Sequence, residues 1–201
     1  MLLKPIVVLS IVATLGLAAS PAAAQASKKK EPAAKAKKAE PAKGRASDAA
    51  KAAAPAGTFL IATYGDWGAY TSGKDKTKVC YALSQPKDRL PKGLTRDPAY
   101  VFISNRPGDG ARNEFSVIMG FPLKTGGPAS VGIGNASYVM LTKDKSGWLK
   151  NPAEEAPLIE AMKKASAMTI KATSGKGNET TDRYSLSGLN QALDRAQKEC
   201  P

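Results

Sequence analysis

Three clusters in this chain carry residue types that could do chemistry. Lys124-Thr125-Gly126 places a lysine and a threonine as acyl-transfer enzymes of the cell wall do, lining an active-site cleft. A hydrolase or transpeptidase of that kind also needs a serine nucleophile three residues before a lysine. The spacing weighed for that role is Ser27 to Lys30, in a stretch too polar to fold. A nucleophile there would not be held within reach of its base, so a chance match within a loop is the better account. Asp66 and Asp182 would suit acid–base work only if the fold brought them together. Asp182 is expected instead to bond local backbone or a nearby arginine. Trp67 and Trp148 would suit a sugar-binding face, but tryptophan in a small sandwich more commonly fills the core.

Histidine is absent from the whole sequence. That removes histidine triads, imidazole acid–base catalysis and imidazole metal sites. No catalytic residue is assigned, and no cofactor or metal is expected. The two cysteines, Cys80 and Cys200, have no histidine to activate them as nucleophiles. Following an export signal they are expected to pair, because exported compartments are oxidising. The bond would close a loop of more than a hundred residues, for which chain entropy assigns roughly 4–5 kcal/mol. Two buried free thiols are the alternative.

The export signal is read in residues 1–24. Lys4 precedes an apolar run from Ile6 to Ala19, and Ala22-Ala23-Ala24 leads to Gln25, the layout of a secretory signal peptide. The run has 14 residues, short of the roughly 20 that cross a bilayer; a retained anchor is the alternative. No cysteine stands near the expected cut, which argues against a lipid anchor.

Residues 25–57 hold no aromatic side chain and no aliphatic one larger than alanine. Such a segment buries too little apolar surface to offset the entropy of ordering, so it is expected to be a disordered Lys/Ala/Pro-rich linker. Nine Lys/Arg against three acids give it close to half of the chain's net charge of +13. Lys28, Lys29, Lys30, Lys35, Lys37 and Lys38 are the candidate contacts to an anionic surface, such as lipopolysaccharide phosphate or an acidic wall polymer. A solvated linker with no partner is the alternative. Nucleic acid is not expected, since export removes the chain from it and the linker lacks stacking aromatics. The mature chain is expected to have no transmembrane span, and its partner is an unidentified protein or an anionic envelope polymer.

Residues 58–201 must then form the folded part. A domain near that size buries about 68–70% of its unfolded surface, enough for one real core. Phe59–Thr63 and Asp66–Tyr70 read as one strand interrupted at Gly65. Lys78–Leu83 alternates, facing Val79, Tyr81 and Leu83 one way and Cys80 the other. Three prolines and a glycine make residues 85–98 a long loop. Tyr100–Ser104 and Glu114–Met119 pair antiparallel, and 130–133 with 138–141 form a hairpin around Gly134-Asn135. A helix follows near Ala153–Ala165, with Pro157 tolerable only in its first turn. Strands at 168–173 and 180–186 lead to a last helix capped by Ser187. The class is mainly β, a sandwich with one or two short helices, the last at the C-terminus.

The domain resembles the invasion-associated locus B family of exported bacterial proteins. The resemblance lies in Gly65-Asp66-Trp67, Lys78-Val79-Cys80-Tyr81, Gly120-Phe121-Pro122 and Glu160-Ala161-Met162-Lys163-Lys164. Its most specific part runs from Thr173-Ser174-Gly175-Lys176-Gly177 to Thr181-Asp182-Arg183-Tyr184-Ser185-Leu186-Ser187-Gly188-Leu189. The resemblance implies an immunoglobulin-like β-sandwich, a place in the periplasm or outer envelope of a Gram-negative bacterium, and a link to host-cell interaction. It implies no catalytic residues. The expected role is therefore non-enzymatic binding or adaptation at the envelope, with the cell-wall hydrolase or transpeptidase as the other reading.

Overall fold

The computed structural model describes residues 57–201. The export signal and the linker lysines Lys28, Lys29, Lys30, Lys35, Lys37 and Lys38 lie outside the described residues.

Apolar side chains alternate with polar ones through most of the described chain, and the period of two makes strands of it. These are β1 (Thr58–Tyr64), β2 (Trp67–Ser72), β3 (Val79–Ser84), β4 (Asp88–Leu90), β5 (Tyr100–Arg106) and β6 (Ala111–Ile118). Then come β7 (Ala129–Ile133), β8 (Ala136–Lys143), β9 (Ser146–Leu149), β10 (Ala167–Thr173) and β11 (Glu179–Ser185). Two helices, α1 (Glu155–Lys164) and α2 (Leu189–Glu199), complete the set. The fold is mainly β, with its last helix at the C-terminus.

Every strand pairing is antiparallel, in the order β1-β2-β3-β5-β6-β9-β8-β7-β10-β11-β4. Short connections favour that outcome, because a tight turn can only return the chain antiparallel. β8 is the corner. Its first half pairs β7, Ser130 opposite Val139, and its second half pairs β9, Met140 opposite Leu149. One continuous ladder thereby passes between two layers, as at sandwich corners.

The main core takes Val101, Ile103, Phe115 and Val117 from one layer and Val131, Met168, Ile170 and Tyr184 from the other. Leu158, Ile159 and Met162 of α1 and Leu189, Ala192 and Leu193 of α2 join the same cluster. Each such leucine or isoleucine, fully removed from water, contributes about 1.5–3 kcal/mol. Pro157 is the third residue of α1, where no backbone bond is lost. On the opposite face of the first layer, Tyr70, Tyr81, Leu83 and Tyr100 form a second cluster. Tyr70 and Tyr81 sit directly across β2 and β3, their rings stacked 5.5 Å apart. The split of β3 into a Val79/Tyr81/Leu83 face and a Cys80 face is as its alternation requires.

Three local readings are corrected. Residues 59–70 are not one interrupted strand but a hairpin, β1 pairing β2 from Thr58–Ser72 to Tyr64–Trp67. Gly65 at φ 53° permits a reversal there rather than a bend. The long loop 85–98 contains β4, which pairs β11 at the sheet edge. Ser187 does not cap α2; that place is taken by Gly188 at φ 90°.

Gly188 has a steric reason. A Cβ built on it would lie 1.8 Å from the Tyr64 carbonyl oxygen. The β1–β2 turn and the entry to α2 touch backbone to backbone, and the Asp66 N–H donates to the Ser187 carbonyl at 2.9 Å. Beside them the Trp67 indole N–H donates to the Ser185 carbonyl, also at 2.9 Å. Gly65-Asp66-Trp67 and Ser185-Leu186-Ser187-Gly188 are thus two halves of one contact between the beginning and end of the domain.

α2 lies along β2 and β3 and is fixed there by the Cys80–Cys200 disulfide, with Cα atoms 5.8 Å apart. Lys78 adds a charge-assisted bond to the Glu199 carboxylate at 3.0 Å, and its ammonium also donates to the Glu199 carbonyl at 2.8 Å.

Candidate functional site

The edge strand β4 and the turn between β10 and β11 flank a cleft of about 550 Å³, within the range of small-ligand sites. Residues 93–97 between β4 and β5 form one wall, and 120–122 after β6 another. Ser174, Gly175, Lys176, Asn178 and Thr180 close it, with Lys145 at the rim.

Close backbone packing shapes this cleft. Gly120 has φ 72°, and a Cβ there would stand 2.1 Å from the Asp97 carbonyl oxygen. That approach lets the Asp97 N–H donate to the Gly120 carbonyl at 3.0 Å. The Gly175 N–H donates to the Pro122 carbonyl at 2.8 Å, which ties the β10–β11 turn to the 120–122 wall. The Ser174 hydroxyl accepts from the Asn178 N–H at 3.0 Å, holding that turn closed.

Beneath the cleft sits a buried charge cluster. Asp182 is 0% exposed, and Arg89 Nε approaches its two carboxylate oxygens at 3.1 and 3.0 Å. The remaining Arg89 nitrogens donate to the Asp97 carbonyl at 2.8 Å and the Met119 carbonyl at 2.7 Å. One guanidinium thereby fastens β11 to both cleft walls. Arg96 brings a second positive charge, its Nη1 3.7 Å from Asp182 Oδ1. Arg96 also donates to the carbonyls of Leu90 and Pro91. Burial pushes the Asp182 carboxyl above its ordinary value, and the bonds and charges of Arg89 and Arg96 oppose that rise. At the rim, the Lys145 ammonium bonds Asp97 at 2.8 Å and holds its carboxyl below the usual range. Tyr184, next along the inner face of β11, buries its hydroxyl with no partner among the described residues. Burial pushes that phenol up.

Asp182 bonds an arginine, as its sequence setting suggested. It is not brought together with Asp66 as a carboxylate dyad: Asp66 pairs with Lys87. Lys124-Thr125-Gly126 forms a turn outside the cleft lining, where the Lys124 N–H donates to the Thr173 carbonyl. Ser27 and Lys30 lie outside the described residues. The same Ser-to-Lys spacing recurs at Ser84 and Lys87. There the buried Ser84 hydroxyl donates to the Asp66 carbonyl at 2.7 Å, while Lys87 pairs with the Asp66 carboxylate. The tryptophans divide: Trp67 is fully buried, but Trp148 is 38% exposed on the sheet surface. Among the described residues no group of three or more acidic or cysteine side chains is placed to hold a metal. None of their helices is long and apolar enough to cross a membrane.

The residues that sequence reasoning missed are Arg89 and Arg96. Both fall in the proline-marked stretch read as loop, and Arg89 meets its carboxylate across 93 positions of sequence. Asp88-Arg89-Leu90 shows no alternation of apolar and polar side chains, and three residues are too few to stand out as a strand.

The family model described as invasion associated locus B (IalB) protein matches residues 67–197. The matched span takes in the whole cleft lining and the buried charge cluster. No curated protein and no solved structure matches the chain.

Proposed function

We propose that this chain, which belongs to the invasion associated locus B family, is an exported, non-enzymatic binding or adaptor protein of the bacterial envelope, and that its cleft is a binding site. The observation that carries the binding reading is the cleft itself. It combines an apolar patch of Leu94, Phe121 and Pro122 with polar and charged groups fixed around it, a mixture that ligand sites use for affinity and orientation. The acids in and beneath it support holding rather than proton transfer: Asp182 is committed to Arg89 and Asp97 to Lys145. An acid or base at work needs a proton-bearing partner in the substrate within reach.

Export follows from the layout of residues 1–24, and the cationic linker supplies peripheral attraction to an anionic envelope polymer, through Lys28, Lys29, Lys30, Lys35, Lys37 and Lys38. That attraction is long-ranged and screened, with a Debye length of about 8 Å at physiological salt. A link to host-cell interaction is the finer role that the family description suggests. Retention on purified envelopes tests the reading, using the mature chain with and without residues 25–57 across rising salt. The full chain should be held more strongly, and the difference should vanish at about 1 M salt, where the Debye length is near 3 Å. Equal retention at every salt concentration removes the linker from the function. Crosslinking from the cleft in intact cells should capture one partner, and loss of that product on filling the cleft would assign it to this site.

A further inference from the structure

The charges of the cleft do not cancel. Arg96, Lys145 and Lys176 line it against one acid, Asp97, and Asp97 is taken by Lys145. Below, Asp182 neutralises one of its two arginines, and Arg89 has all three nitrogens engaged. Arg96 is the surplus. Its side chain is only 7% exposed, and its Nε has no partner among the described residues. Lys176, at the tip of the β10–β11 turn, is exposed and makes no ion pair among them. A nearly buried cation with unused donors attracts an anion more strongly than a surface one, because water screens it less. A guanidinium with free N–H groups matches the planar oxygens of a carboxylate. One part of the lining is apolar: Leu94, unusually exposed for its size at 39%, faces a cleft that Phe121 and Pro122 also line.

Resting on the binding reading above, we infer that the cleft takes a small carboxylate-bearing molecule with an apolar arm. Arg96 and Lys176 hold the charged end, and Leu94, Phe121 and Pro122 receive the arm.

Amide chemical shifts of the isotopically labelled mature protein test this, with hexanoate, hexanamide and inorganic phosphate as the probes. Hexanoate should shift the amides of residues 93–97, 120–121 and 174–178 along one saturable curve. Hexanamide should bind the same residues at least tenfold more weakly, since it keeps the arm and loses the charge. Phosphate should bind more weakly than hexanoate. Lys176→Gln, on an exposed turn, should keep the wild-type melting temperature and weaken hexanoate several-fold while leaving hexanamide unchanged. Arg96→Gln should weaken hexanoate further, and its unshifted spectrum elsewhere would report an intact fold. Equal binding of acid and amide overturns the carboxylate assignment while leaving the cleft a binding site. Tighter binding of phosphate overturns the apolar arm. No saturable shift at the cleft with any probe overturns both this inference and the cleft as the site.

Discussion

At the scale of single residues, Asp182 and Tyr184 are neighbours on one face of β11 with opposite consequences. Asp182 is the counter-charge to Arg89, so Asp182→Ala leaves a buried guanidinium unpaired. Equilibrium urea unfolding should register a loss of about 3–5 kcal/mol. The Tyr184 hydroxyl has no partner among the described residues, so Tyr184→Phe discards a group that gains nothing from folding. The same measurement should find it neutral or more stable by up to about 1 kcal/mol; a large loss would mean that the hydroxyl is bonded. Glu199 supplies the pH dependence. The bond from Lys78, then that from Arg195, holds its carboxyl below the ordinary range. A depressed folded pKa gives stability that is present above the unfolded value and lost as pH falls through the folded one. Stability should therefore fall more steeply for the native protein than for Glu199→Gln as pH drops from about 5 to 3. Parallel curves would show that the Lys78–Glu199–Arg195 cluster is idle.

Elements are joined here by backbone contacts that only glycine permits. Gly188 and Gly93 both have positive φ, at 90° and 79°, but only Gly188 faces another backbone within 4 Å. Gly93→Ala should cost about 1 kcal/mol, the price of the left-handed conformation alone. Gly188→Ala adds a Cβ at 1.8 Å from a carbonyl oxygen, so α2 or the β1–β2 turn must move. Chemical denaturation should show a clearly larger loss for Gly188→Ala, with faster hydrogen exchange confined to α2 and β1. Equal losses would indicate that α2 can shift at little cost. Strand existence was legible wherever apolar and polar residues alternate over five or more positions, as in Met168–Thr173. β4 and β9 were not, because three or four residues make too short a pattern. Their pairing is supplied by β11 and by β6 and β8 instead. The β1–β2 reversal is not legible for a related reason: a glycine between two apolar runs suits a bend and a turn equally.

For the whole molecule, the Cys80–Cys200 bond ties β3 to the end of α2 across 120 positions. Its removal frees the unfolded chain more than the folded one. The Cys80→Ala/Cys200→Ala pair should lower stability by about 2–5 kcal/mol, read by thermal or urea unfolding without reductant. An unchanged midpoint would place the holding force in the α2 core contacts alone. The sequence by itself determined the class, the pair of cysteines, the facing of β3 and the absence of imidazole chemistry. Those properties depend on composition, or on a periodicity that a few neighbouring residues express. Tertiary structure alone decided the cleft. Arg89, Arg96, Gly120, Lys176 and Asp182 come from three separate stretches of sequence, and their meeting is set by sheet order and by backbone contacts at glycine. A site assembled across the ends of strands leaves no mark in local spacing, because each contributing residue obeys only the pattern of its own element.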